Sequence, residues 1–250
     1  MGRTWDAHSY DQVGAPMTAM ATAVLDRLEL SGDETVLDAG CGTGRVTELL
    51  VERLPSGRVI AVDADPAMVA IARQNLAGRA DVRQADLLSL VLDEAVGAIL
   101  STATFHWVLD HERLFERLAG VLRPGGQLVA QCGGQGNIAS LRRVAEEVMA
   151  DRAFAPAFDG WRAPWTYAGP EETAVRLERA GFVDVRTWLE PHPVVPDDPA
   201  LYLSTIVLGA QVQQLPADQR APFVDQVIDR LPQPLTLDYV RLNIDARRRP

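Results

Sequence analysis

Residues Val36 to Gly44, read Val-Leu-Asp-Ala-Gly-Cys-Gly-Thr-Gly, constrain the fold more than any other stretch: an apolar strand ends in a glycine turn and passes directly into an amphipathic helix. Glycines at Gly40, Gly42 and Gly44 permit the sharp turn and a close approach of ligand to backbone, while a helix starting near Thr43 presents unpaired amides at its amino end. A nucleoside-bearing small molecule is therefore expected beyond the strand's carboxyl end. Charge decides which one. A dinucleotide site calls for a third glycine at position 45 and no anion beside the pyrophosphate, yet the chain has Arg45 there and Asp38 just upstream. An acid next to the turn suits an ammonium or sulfonium group, because opposite charges attract most where water is partly excluded. S-adenosylmethionine is such a ligand.

A second signal stands at the spacing a nucleoside requires. Arg58 to Val62 reads as a buried strand ending at Asp63, about 20 residues beyond the glycines, and its carboxylate is suited to accept both ribose hydroxyls. A third strand, Ala80 to Ala85, ends at Asp86, an acid suited to accept from the adenine amino group while Leu87 and Leu88 cover the ring. The alternative for Asp38, Asp63 and Asp86 is that they cap strand ends and turns. Cys41 reads as a small spacer rather than a reactive thiol.

Strands and helices alternate regularly from there, with helices over 15–28, 43–54, 66–77 and 110–121, strand four over Val96 to Ser101 and strand five over Gln127 to Gln131. Asp65 and Pro66 read as cap and first-turn residue of the third of these helices. Such alternation predicts a single α/β domain with a mostly parallel sheet covered by helices on both faces. Residues 1–30 are expected to form an amino-terminal lid helix and 31–135 the ligand-binding core. Segments 136–168 and 196–232 are expected to add helical cap elements, with helices over 199–213 and 217–230. A last strand spans Leu237 to Ala246, and Arg247 to Arg249 read as a solvated tail.

Charge and composition exclude several classes. The formal net charge of −10 argues against nucleic acid, whose recognition needs basic patches. All 24 residues counted as Lys or Arg are arginine, so Schiff-base chemistry and a lysine base are ruled out. Two cysteines, Cys41 and Cys132, make no metal site, and no His or Cys pair has zinc-ligand spacing. No signal peptide, membrane run or lipidation motif is visible, so a cytoplasmic monomer or homodimer is expected.

The segments DAGCGTG, VDADPAM, QADLLSL and VLRPGGQL, spread over residues 36 to 130, resemble the successive signatures of class I S-adenosylmethionine-dependent methyltransferases in the family's order. That resemblance implies a Rossmann-like, seven-stranded sheet whose last strand runs antiparallel. It also implies a cofactor site built from Asp38, Gly40, Cys41, Gly42, Asp63, Ala64, Met68, Asp86, Leu87 and Thr102. Ser101 to His111, with Trp107-Val108-Leu109-Asp110-His111, and the arginine-bearing strand Tyr239-Val240-Arg241-Leu242 are similar to the trans-aconitate 2-methyltransferase group. The chain departs from that group at Gln12 to Pro16, where relatives carry arginines, which argues against a tricarboxylate and leaves the substrate open.

The reading is methyl transfer to a small-molecule acceptor, preferably O-methylation of a carboxylate or hydroxyl. The alternatives are a C- or N-methyltransferase of natural-product biosynthesis and a non-transferase protein binding the same cofactor. A carboxylate acceptor needs a cation and no base. A phenol, hydroxyl or carbon acid needs a base, for which His106 is the best-placed catalytic candidate; a pocket wall and a structurally satisfied histidine are its other readings. His111 reads as a capping or surface residue. Trp107, Trp161, Arg162 and Trp165 are substrate-pocket candidates, with Arg162 able to grip a carboxylate, although the tryptophans also suit core packing. Tyr10 is expected in the lid.

Overall fold

In a computed structural model of the chain, residues 15–250 are described. Tyr10 and the first 14 residues of the expected lid lie outside them. The described chain opens with α1 (Ala15–Leu25), followed by β1 (Thr35–Ala39), α2 (Arg45–Glu52), β2 (Arg58–Asp63), α3 (Pro66–Leu76), β3 (Asp81–Gln84) and β4 (Val96–Thr102). Next come α4 (His111–Val121), β5 (Leu122–Gly133), α5 (Ala139–Met149), α6 (Pro170–Arg179) and β6 (Phe182–Pro191). Helices α7 (Pro199–Tyr202), α8 (Gly209–Val212) and α9 (Ala217–Asp229) precede β7 (Val240–Arg248).

The seven strands form one sheet in the order β3-β2-β1-β4-β5-β7-β6. β1 to β5 are parallel neighbours, and β7 is inserted antiparallel between β5 and β6. Central strands of a doubly covered sheet must be apolar on both faces. β1 accordingly sends Leu37 and Ala39 into a core shared with Leu114, Phe115 and Leu118 of α4 and Leu177 of α6. Val36 goes to the opposite core with Val24 and Leu25 of α1, Leu50 of α2 and Leu76 of α3. A third cluster belongs to the cap, where Leu141, Val144 and Val148 of α5 pack with Tyr202, Phe223 and Val227.

Local chemistry sets the helix starts. Asp65 accepts from Ala67 N at 2.8 Å and Met68 N at 3.2 Å with Pro66 in the first turn, a cap worth about 1 kcal/mol. Asp110 caps α4 by accepting from Arg113 N at 3.0 Å.

Several expectations change. Residues 199–213 are not one helix: between α7 and α8 the chain widens into a π turn, with Leu208 N bonded to Leu203 O at 2.7 Å. That widened turn carries Ile206 and Val207 to the cleft described below. Strand five starts earlier than expected. Its pairing with β4 runs from Val96↔Leu122 to Ala98↔Gln127, and the register shift absorbs the glycine turn. Nor is Arg247 to Arg249 a solvated tail. Arg247 pairs with Gln127 in the sheet and reaches Glu29 at 2.6 Å, Arg248 bonds Leu122 O, and Arg249 N donates to Gly181 O at 3.0 Å. An interior strand satisfies its backbone on both edges, so pairing outlasts the apolar alternation that marked its end in sequence.

The end of α1 is clasped to this part of the sheet. Arg27 donates to Asp245 at 2.9 Å, Asn243 at 2.6 Å and Ala130 O at 2.8 Å, and it lies 5.0 Å from the Trp188 ring. Asn243 also accepts from Gln131 and donates to Glu190.

Candidate active site

The glycine turn sits at the carboxyl end of β1, held against β2 by Gly40 N and Cys41 N, which donate to Val62 O at 2.8 and 2.9 Å. Gly40 has φ +89°, and a Cβ there would lie 2.1 Å from Thr104 Oγ1, so no side chain fits where the loop meets the end of β4. Thr104 Oγ1 bonds Gly40 O and Thr102 O, linking the two loops.

The three strand-end acids differ in what they hold. Asp38 is buried; one carboxylate oxygen accepts from Thr47 Oγ1 at 2.6 Å, and the other has no hydrogen-bond partner. Burial pushes its pKa up to about 6, against the opposing Thr47 bond. Asp63 accepts from Gly42 N and Asp65 N, each at 2.9 Å, so its carboxylate shapes the glycine turn. Burial also raises its pKa despite those amides. Asp86 is exposed and accepts from Leu88 N at 2.8 Å, starting the short turn that buries Leu87. Met68 is buried, and Ala64 O accepts from Gln84 at 3.4 Å. Both cysteine thiols are buried and held protonated, Cys132 with its pKa pushed up to about 12, so neither is a nucleophile.

A cleft with about 520 Å³ of empty space, its mouth included, opens beside Ala103, one residue past β4 and next to the Thr104–Gly40 contact. His106, Trp107, Trp165, Tyr167 and Arg241 line it on the sheet side. Ile138, Ile206, Val207 and Tyr239 line it from the cap. Trp107 and Trp165 meet edge to face at 5.9 Å, and the His106 and Tyr167 rings stack at 5.8 Å. Tyr167 packs so tightly on β5 that a Cβ on Gly133 would come within 2.6 Å of its ring.

His106 is buried, and its Nδ1 accepts from Gly133 N at 3.3 Å. With that lone pair engaged, the neutral imidazole carries its proton on Nε2 and offers a donor rather than a base. The phenols are no better as bases. Burial raises the pKa of Tyr167 and holds that of Tyr239 well above the usual value.

Arg241 is 3% exposed, and its Nε has no hydrogen-bond partner. Its guanidinium lies 5.7 Å from the Tyr239 ring, and no carboxylate among the described residues forms an ion pair with it. Unpaired buried charge is costly, so a guanidinium left in this state on a cleft wall is suited to an anion arriving from outside. Sequence reasoning had placed this role on Arg162, which is exposed and outside the lining. Trp161 also stands back from the cleft, stacking edge-on with Phe158 and Trp165 at 6.0 and 5.8 Å. His111 is not a surface residue. It is buried, with Nε2 3.0 Å from Phe105 O, and it steadies the turn that carries His106. Among the described residues, no group of three or more His, Cys, Asp or Glu could hold a metal ion.

Comparison with known proteins agrees with this geometry. A family profile described as "Methyltransferase domain" matches residues 37–130. A trans-aconitate 2-methyltransferase of Methylobacterium nodulans is 39% identical over 127 residues, 51% of this chain and 49% of that protein. The aligned part of the chain thus spans about half the length of that relative. One from Paracidovorax citrulli is 32% identical over 236 residues, covering 88% of this chain and 86% of its own length. Phosphoethanolamine N-methyltransferase 2 of Haemonchus contortus, solved with phosphomonomethylethanolamine and S-adenosylhomocysteine, superposes with a TM-score of 0.63 at 16% identity. That alignment covers 98% of this chain and 57% of the other, and shows a common fold.

A seven-stranded sheet with β7 reversed, a glycine turn after β1 and acids at successive strand ends define a class I methyltransferase. Within that class, the chain belongs to the trans-aconitate 2-methyltransferase family. Its cofactor is S-adenosylmethionine, and the residues fit it. The unpartnered oxygen of buried Asp38 is suited to a cationic ligand, and Gly40 leaves the backbone bare where the turn meets β4.

Proposed function

We propose that the protein is an S-adenosylmethionine-dependent O-methyltransferase of a small carboxylic acid. Bound S-adenosylmethionine supplies a methyl group on a sulfonium; its transfer to a carboxylate oxygen breaks the S–CH₃ bond, forms the O–CH₃ bond and releases no proton. The chain therefore needs no base, only a cation to hold the acceptor and walls that exclude water. Arg241 supplies the cation, a donor at His106 supplements it, and the rings of Trp107, Trp165 and Tyr167 supply the walls. Asp38 and Asp63 hold the cofactor side. The observation that carries the reading is the buried, unpaired guanidinium of Arg241 on the cleft wall.

Incubation with methyl-labelled cofactor and a panel of acids, alcohols, phenols and amines tests it. The expected product is a base-labile methyl ester, formed from acids alone. Label transferred only to phenols or amines would refute the proposal.

A further inference from the structure

Resting on that reading, we propose that the acceptor is a monocarboxylic acid with a compact aromatic or conjugated apolar body, and not the tricarboxylate named for the relatives. The argument is charge balance inside the cleft. Among the described residues lining it, Arg241 is the only permanent cation, and no acid is present. One guanidinium neutralises one carboxylate, and its planar fork matches a single carboxylate in bidentate fashion. A second or third carboxylate on the same molecule would need partners of its own.

The remaining polar groups are largely committed elsewhere. Asn137 accepts from Val240 N at 3.0 Å, and the Tyr239 hydroxyl is 3.2 Å from that of Tyr202. Arg142 lies over the Tyr167 ring at 5.4 Å but does not line the cleft, and it pairs with Glu146 at 3.9 Å. Arg162 is exposed and outside. Beyond Arg241 an acceptor instead meets Trp107, Trp165 and Tyr167 on one side and Ile138, Ile206 and Val207 on the other. Such walls stabilise a flat apolar body through burial and ring contacts, and they leave extra ionised groups uncompensated.

The test compares kcat/KM for methyl-ester formation from benzoate, trans-cinnamate, terephthalate and trans-aconitate. Calorimetric binding of the same four acids, in the presence of S-adenosylhomocysteine, provides a readout independent of turnover. The proposal expects benzoate or trans-cinnamate to exceed trans-aconitate at least tenfold in both measurements. Adding the second carboxylate of terephthalate should lower the benzoate value at least tenfold. If trans-aconitate matches or exceeds the aryl acids, this inference falls while carboxylate methylation stands. If no acid is bound or esterified, the carboxylate reading itself fails and takes the inference with it.

Discussion

Asp38→Asn is expected to make the ligand-free protein more stable and its cofactor binding weaker, two effects of one buried charge. The Asp38 carboxylate keeps only the Thr47 hydrogen bond, and burial raises its pKa from the ordinary 3.8 to about 6. Between those values the native chain holds a proton that the unfolded chain has released, so stability falls as pH rises through the window. The interval corresponds to about 3 kcal/mol lost by pH 8 and roughly half of that by pH 5. Asparagine can still accept from Thr47 and carries no charge. For a chain of this length it should raise the melting temperature of the ligand-free protein by roughly 6–12 °C at pH 8, and by about half as much at pH 5. Cofactor binding should show the opposite preference, because a cationic ligand favours ionised Asp38. The wild-type Kd for S-adenosylmethionine should rise as pH falls from 7 to 5, by at most about tenfold per unit, while the variant should bind more weakly at pH 8 with a flatter profile. Scanning calorimetry and titration calorimetry at the two pH values read both effects. A variant that melts with the wild type at both pH values, or binds the cofactor equally tightly, would refute the reasoning.

Other substitutions probe separate parts of the structure. Asp63→Ala removes the acceptor for Gly42 N and Asp65 N and should weaken cofactor binding by about 1–3 kcal/mol in titration calorimetry, whereas unchanged affinity would remove Asp63 from the site. His106→Gln keeps a side-chain donor and should lower kcat for ester formation less than about tenfold, without changing its pH profile; a loss beyond about a hundredfold would restore His106 as a base. Arg27→Ala breaks the clasp to Asp245, Asn243 and Ala130 and should cost about 3 kcal/mol in denaturant unfolding, with a result near zero showing the clasp to be energetically idle.

What sequence disclosed was whatever local chemistry dictates. The Gly40 turn is demanded by its positive φ and the Thr104 contact, and the Asp65–Pro66 helix start by amide capping within four residues, so both were legible from neighbouring residues alone. The parallel direction of the first five strands followed from alternation of elements. Features built across long separations were less legible. Asp63 was read for ribose, and its bond to Gly42, 21 residues away, emerged only when β1 and β2 were paired. β7 looked like a strand with one apolar face through Val240, Leu242, Ile244 and Ala246. In its interior position both faces are covered, and Arg241 and Asn243 on the other face are buried too. A charge flanked by apolar residues in a strand was the available signal for Arg241. It was passed over for Arg162 because the tryptophans around Arg162 looked like a pocket wall, and of Trp161 and Trp165 only Trp165 turns into the cleft.

The central claim is that Arg241 receives the carboxylate that becomes methylated. It is tested most directly by comparing wild type with Arg241→Gln in esterification of the best acid acceptor, with S-adenosylmethionine affinity measured on the same samples. The account predicts at least a hundredfold loss of kcat/KM, unaltered cofactor affinity and a fold no less stable than wild type, since a buried unpaired charge has been removed. Esterification by the variant at the wild-type rate would contradict it.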